Sequence, residues 1–178
     1  MPAVQTSYSE NIGQALVGQV ANPQTCDIDT YIASQNINFG VAVQRTTDGG
    51  VGDEYSRCSV GATVASTNVT SFLGIAVKDP TRDASEVDRS GSEPVDRYKA
   101  DAHVAVLWRG DVWVDVAGAT VAKGDKLTVT ASTGVLGAEG SGTGTTVGNF
   151  DGGGIVALSD KNSNNLVLVR LYGNEQRI

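Results

Sequence analysis

From Asn36 to Gln44 apolar residues recur at every second position, Ile37, Phe39, Val41 and Val43, until Asp48-Gly49-Gly50 breaks the run. That alternation is what a half-buried strand requires, because successive side chains point to opposite faces of a sheet. Val60 to Val69 and Phe72 to Val77 are further short β candidates. Leu127-Thr-Val-Thr-Ala131 alternates apolar and hydroxyl residues and stops at Ser132-Thr133-Gly134. Ile155 to Leu158 and Leu166 to Tyr172 read as closing strands, separated by the turn-forming run Asp160-Lys-Asn-Ser-Asn-Asn165. Helix signals are poor throughout, and no internal repeat stands out.

The sharpest local pattern is the apolar run His103 to Val116, interrupted by Arg109-Gly110-Asp111. Glycine followed by aspartate suits a two-residue type II′ turn, whose first position needs a positive φ. The run is therefore expected to fold as a hairpin, with Arg109 facing Val112, Trp108 facing Trp113 and Leu107 facing Val114. Both faces of that hairpin would be largely apolar, which predicts cover on both sides.

Other stretches lack periodicity. In residues 1–30 the apolar positions Tyr8, Ile12, Leu16, Val17, Val20 and Ile28 are isolated among Gln, Ser, Asn and Gly. Such a segment reads as an extended arm, with a ragged terminus or an edge strand as the plainer alternative. Residues 79–99 are a polar loop with charges of both signs, and 137–154 a stretch rich in glycine, serine and threonine. The expected architecture is mainly β: a compact antiparallel β-barrel or sandwich at 31–178, with an extended N-terminal arm at 1–30 and long loops.

Composition narrows the function. The chain has 178 residues, 40% hydrophobic and 19% charged, with 22 glycines and 4 prolines. That is enough apolar surface for a core, punctuated by many tight turns. A net charge of −7 without any basic run argues against nucleic acid as a partner, since phosphate binding relies on lysine and arginine displacing counterions. No stretch approaches the roughly 18 apolar residues of a membrane helix, and Met1 to Tyr8 lacks a signal-peptide pattern. The expectation is a soluble protein made in a cytoplasm, with Cys26 and Cys58 as reduced thiols.

The search for catalytic chemistry is unproductive. His103 is the single histidine, which excludes motifs needing a histidine pair. Cys26 and Cys58 lack Cys-x-x-Cys spacing. The glycines of 137–144 lack the Gly-Lys-Ser/Thr ending of a phosphate loop. Asp160-x-Asn162-x-Asn164 opens like a calcium loop, but Asn165 stands where glycine is required and Leu171 where glutamate belongs. No cofactor, metal or catalytic residue is assigned, and the chain reads as non-enzymatic.

In order and spacing, several stretches together carry a likeness. They are Met1 to Asn11, Gly18-Gln-Val-Ala-Asn22, Ile37-Asn-Phe-Gly-Val-Ala-Val43, Phe72-Leu-Gly-Ile-Ala-Val77, Val106-Leu-Trp-Arg-Gly-Asp-Val-Trp-Val114, Lys123-Gly-Asp-Lys-Leu127, Thr133 to Leu136 and Leu166 to Leu171. The chain resembles the structural cement (capsid decoration) proteins of tailed bacteriophages, over nearly its whole length, with 137–154 matching least well. The resemblance implies a compact β domain with extended segments on the outer surface of an icosahedral head. It also implies a virion protein synthesised in the bacterial host cytoplasm, with a major capsid protein of the HK97-like fold as its partner and neighbouring subunits bridged.

Within that reading, Tyr8, Ile12, Leu16, Val17, Trp108 and Trp113 are the candidate partner-binding residues. Apolar faces on the 103–116 run favour self-association, a dimer ahead of a trimer. Two alternatives stand beside it: a β-barrel ligand-binding or carrier module, which would need a pocket with converging polar groups, and another virion component such as a tail or baseplate piece.

Overall fold

The computed structural model describes residues 15–46, 57–61, 72–78, 87–88, 97–116, 118–138, 145–146 and 154–172. About half of the described residues are in strands, and among them the one helical element is a 3₁₀ turn at Pro23–Thr25. Among the described residues no helix is long and apolar enough to cross a membrane.

Five strands form a closed ring. They are β1 (Asp27–Ala33), β3 (Ala42–Arg45), β4 (Arg57–Val60), β5 (Phe72–Ala76) and β8 (His103–Asp115), in the order β1-β4-β3-β5-β8, with β8 pairing back to β1. Four of these junctions are antiparallel, as expected; β1 against β4 is parallel. Every strand of the ring sends side chains into one buried cluster: Tyr31 and Ala33, Cys58, Val43, Leu73 and Ala76, and Val104 and Val106. That cluster is the barrel interior. Its end is plugged from β2 (Ile37–Asn38) and β7 (Arg97–Tyr98), which pair with each other, β7 pairing on its other side with β6 (Val87–Asp88). Tyr98 is 1% exposed, meets Phe39 edge to face at 5.1 Å and donates its hydroxyl to the Val77 carbonyl at 2.6 Å. A buried phenol needs such a partner, and this one ties the plug to the wall.

The outer side of the barrel is covered by a second group of strands. β13 (Leu166–Leu171) pairs with the far half of β8 and with β12 (Ile155–Ala157). β9 (Leu127–Val129), β10 (Leu136–Ala138) and β11 (Thr145–Thr146) form a small sheet. Between the lobes lies a second core containing Ile75, Ala105, Leu107, Val112, Val114, Leu127, Leu136, Val167 and Val169. On β8 the residues alternate: Val104 and Val106 enter the barrel, while Ala105 and Leu107 enter the second core. Both faces of the strand are covered over Val104–Leu107, and each fully buried Val or Leu is worth about 1.5–3 kcal/mol of transfer free energy. Gly74 permits β5 and β8 to sit this close in the barrel wall. It has φ +153°, and a Cβ there would run into the Leu107 carbonyl.

One expectation is overturned. Residues 103–116 do not form a hairpin: His103–Asp115 is a single strand of 13 residues. Gly110 does take a positive φ, +129°, but within the strand, where the backbone and Cβ of Cys26 come too near for any side chain. The pairing with β1 slips just before it: Asp27 lies opposite Arg109 and Ile28 opposite Leu107, so Trp108 is the extra residue of a bulge. Val112 and Val114 then find Val169 and Val167, not Arg109 and Leu107. The Ile37–Val43 alternation is likewise interrupted at Gly40, which has φ +73°, so that β2 and β3 belong to different sheets.

Candidate partner-binding surface

Residues 16–21 lie along β8 as a strap. Gly18 donates to the Trp113 carbonyl (2.8 Å), Trp113 to Gln19 (3.0 Å), Ala21 to Asp111 (2.9 Å) and Lys78 to Gly18 (2.8 Å). The bridge Val20–Val112 completes an antiparallel alignment, and residues 27–30, read from the sequence as arm, are the first four of β1. Of the six candidate contact residues, Tyr8 and Ile12 lie outside the described residues. Leu16 is 56% exposed, and Val17 is half-buried against the barrel cluster. Trp108 and Trp113 are both half-buried. They are not cross-strand partners, as the hairpin required, but stand roughly 15 Å apart along one strand. Trp113 alternates with the buried Val112 and Val114, so it faces away from the second core, directly opposite Leu168 of β13.

A cleft of about 400 Å³ opens where the 3₁₀ turn meets the middle of β8 and the end of β13, lined by Asn22, Thr25, Arg109, Asp111, Arg170 and Tyr172. Its floor is an ion pair fixed by strand register, since Arg170 lies directly opposite Asp111. Nε and Nη2 of Arg170 donate to the two carboxylate oxygens at 2.7 and 2.8 Å, a parallel fork. The hydrogen bonds and charge of Asp111 push the Arg170 pKa further up. On the rim, Arg109 is 63% exposed and reaches Asp27 only at 4.0 Å. Ile28 and Tyr172, 43% and 45% exposed, are with Leu16 the large apolar side chains that the described surface displays. Nothing in the local sequence announces this cleft, because its floor joins residues 59 positions apart.

The remaining candidates have structural roles. Cys26 and Cys58 are free thiols. Burial pushes the Cys58 thiol up to about 12 and raises that of Cys26 more modestly. Neither is activated as a nucleophile, which would need a lowered value. Asn162 Oδ1 accepts from the amides of Asn164 and Leu166, both at 2.9 Å, so the Asp160–Asn165 run is a side-chain-stabilised turn. His103 lies exposed at a strand start. Among the described residues no three His, Cys, Asp or Glu side chains gather as metal ligands.

A closed five-stranded barrel with a plugged interior and a surface strap defines a mainly β domain. Comparison with known proteins gives the particular family. Residues 4–172 match the family model described as structural cement protein (E217 gp24/Pam3 gp6). The chain belongs to this family of phage virion structural proteins. A similar fold occurs in a chain of the capsid of Myoviridae phage XM1, with a TM-score of 0.63 and 16% identity, covering 96% of this chain and 98% of that one. The head fiber gp8.5 N base of bacteriophage phi29 aligns with a TM-score of 0.45 and 14% identity over 85% of this chain and 99% of that one. No curated protein matched the chain significantly.

Proposed function

We propose that the protein is a non-enzymatic cement that binds the outer surface of an icosahedral phage head and bridges neighbouring subunits of an HK97-like major capsid protein. The observation that carries this reading is the family match over residues 4–172. The strap supports it physically: hydrogen bonds hold residues 18–21 to β8, so the segment preceding them is tethered at a fixed point on the domain. With domain and arm each touching a different subunit, either contact raises the effective concentration of the other. Selective binding to the assembled shell stabilises the shell by mass action. Self-association, as a dimer ahead of a trimer, would add a further link between sites, and neither nucleic acid nor membrane takes part.

The test uses undecorated heads. Full-length protein is expected to co-sediment with them and to raise the temperature at which they release DNA. Deletion of residues 1–14, which stops short of the strap, should leave the domain folded and weaken binding at least tenfold. Heads that neither bind nor gain stability from the intact protein would overturn the reading.

A further inference from the structure

The cleft beside the strap has an unbalanced supply of hydrogen-bonding groups. Its lining carries two guanidinium groups, Arg109 and Arg170, against one carboxylate, Asp111, in a chain whose net charge is −7. Both oxygens of that carboxylate are already engaged by Arg170. Asn22 uses its side-chain oxygen to accept from the Gln24 amide at 3.1 Å, which leaves its NH₂ as the group to offer. Thr25 and Tyr172 add hydroxyls to the lining. A guanidinium has five N–H donors and no acceptor, so the cleft is rich in donors and poor in acceptors. Asp27, the rim carboxylate, stands 4.0 Å from Arg109 with both side chains about half or more exposed, a pairing of little strength. Tyr172 lines the same cleft and is 45% exposed, so a charged anchor would have aromatic contact beside it.

We infer that this cleft receives an acidic side chain, an aspartate or glutamate presented on the outer face of the capsid shell, with Arg109 as its principal partner. The inference rests on the cement reading and specifies one of its contacts. Arg170 has a positioning role: locked to Asp111, it presents a preformed charged floor without a cost of ordering at the moment of docking. A carboxylate entering beside Arg109 forms a charge-assisted pair shielded by Tyr172, whereas a cationic or apolar side chain would leave the donors unmatched.

Binding to undecorated heads would be measured for the intact protein, Arg109→Ala, Arg109→Glu and, as a control carrying the same charge change at an exposed site outside the cleft lining, Lys123→Glu. Arg109 is exposed, so equal thermal midpoints are expected for all four. Arg109→Ala should weaken binding about tenfold and Arg109→Glu by more, with Lys123→Glu within about twofold of the intact protein. The intact protein should also lose affinity with added salt more steeply than Arg109→Ala. If Arg109→Glu binds no more weakly than Lys123→Glu, or disturbs only self-association, the inference fails while the cement reading stands. If the intact protein does not bind heads, both fall.

Discussion

Between His103 and Leu107, strand β8 is a stave of a closed barrel: β1 on one side, β5 on the other, and side chains buried alternately in two cores. Between Gly110 and Asp115 the same strand borders β13 and the strap; its inward Val112 and Val114 are sealed in the second core, while Trp113 and Asp115 on the other face reach solvent. Its outward residues there are Asp111, Trp113 and Asp115. Beyond the exposed His103 at its start the first half therefore has little surface to offer, and Val104 to Leu107 serve packing. The second half has one face for the core and one for encounters, which is where the tryptophan, the forked ion pair and the cleft are found. A single strand thus divides stability from recognition along its length, at the bulge that includes Trp108.

The largest effect should come from removing the side chain that joins the lobes at the end of the first half. Leu107→Ala empties a fully buried position between Ile75 and the outer strands, and should cost about 2–5 kcal/mol in denaturant unfolding. A loss below about 1 kcal/mol would mean that the lobes are not held by this core.

A smaller effect follows from Cys58. Its folded pKa, about 12, lies above the ordinary thiol value, so the unfolded chain gives up this proton first. The stabilisation is intact below about pH 9 and declines as pH rises towards 12. Near pH 10 the loss should be about 1.4 kcal/mol. Unfolding curves at neutral and alkaline pH, compared with those of Cys58→Ala, isolate this share; identical slopes against pH would refute it.

The smallest effect on stability belongs to the outward face. Trp113→Ala removes a cross-strand contact with Leu168 and should cost about 1 kcal/mol, while weakening head binding by a larger factor than its stability loss explains. Unchanged binding would move recognition away from this half of the strand and sharpen the case for the cleft alone.

The strands at Phe72–Ala76, Leu127–Val129 and Leu166–Leu171 were legible because their alternation and bounding turns are local. The double cover expected of 103–116 holds for Val104–Leu107 alone; from Trp108 onward one face is left partly open. The hairpin was misread for a physical reason. A glycine with positive φ serves a II′ turn and a strand bulge equally well, and the choice lay with a partner more than 50 residues away. Val112–Asp115 could satisfy its hydrogen bonds with Val104–Arg109 or with Leu166–Leu171, and nothing local separates those options. The barrel plug was hidden for a related reason, since Tyr98 closes a polar stretch in which its burial has no periodic signature. Asp111 and Arg170 carry no mutual signal at all until strand register places them opposite each other.

The strap bears on how this molecule would hold under load. Its bonds to Trp113 and Asp111 lie side by side across an antiparallel seam. A tug on the preceding segment along the seam stretches them together, and all must yield at once; a tug perpendicular to it opens them singly, as a zipper does. The grip on anything held by the first residues is therefore directional. A shell whose subunits slide apart parallel to β8 would meet the stiffest resistance this fold can give, and one whose subunits lift away would meet far less.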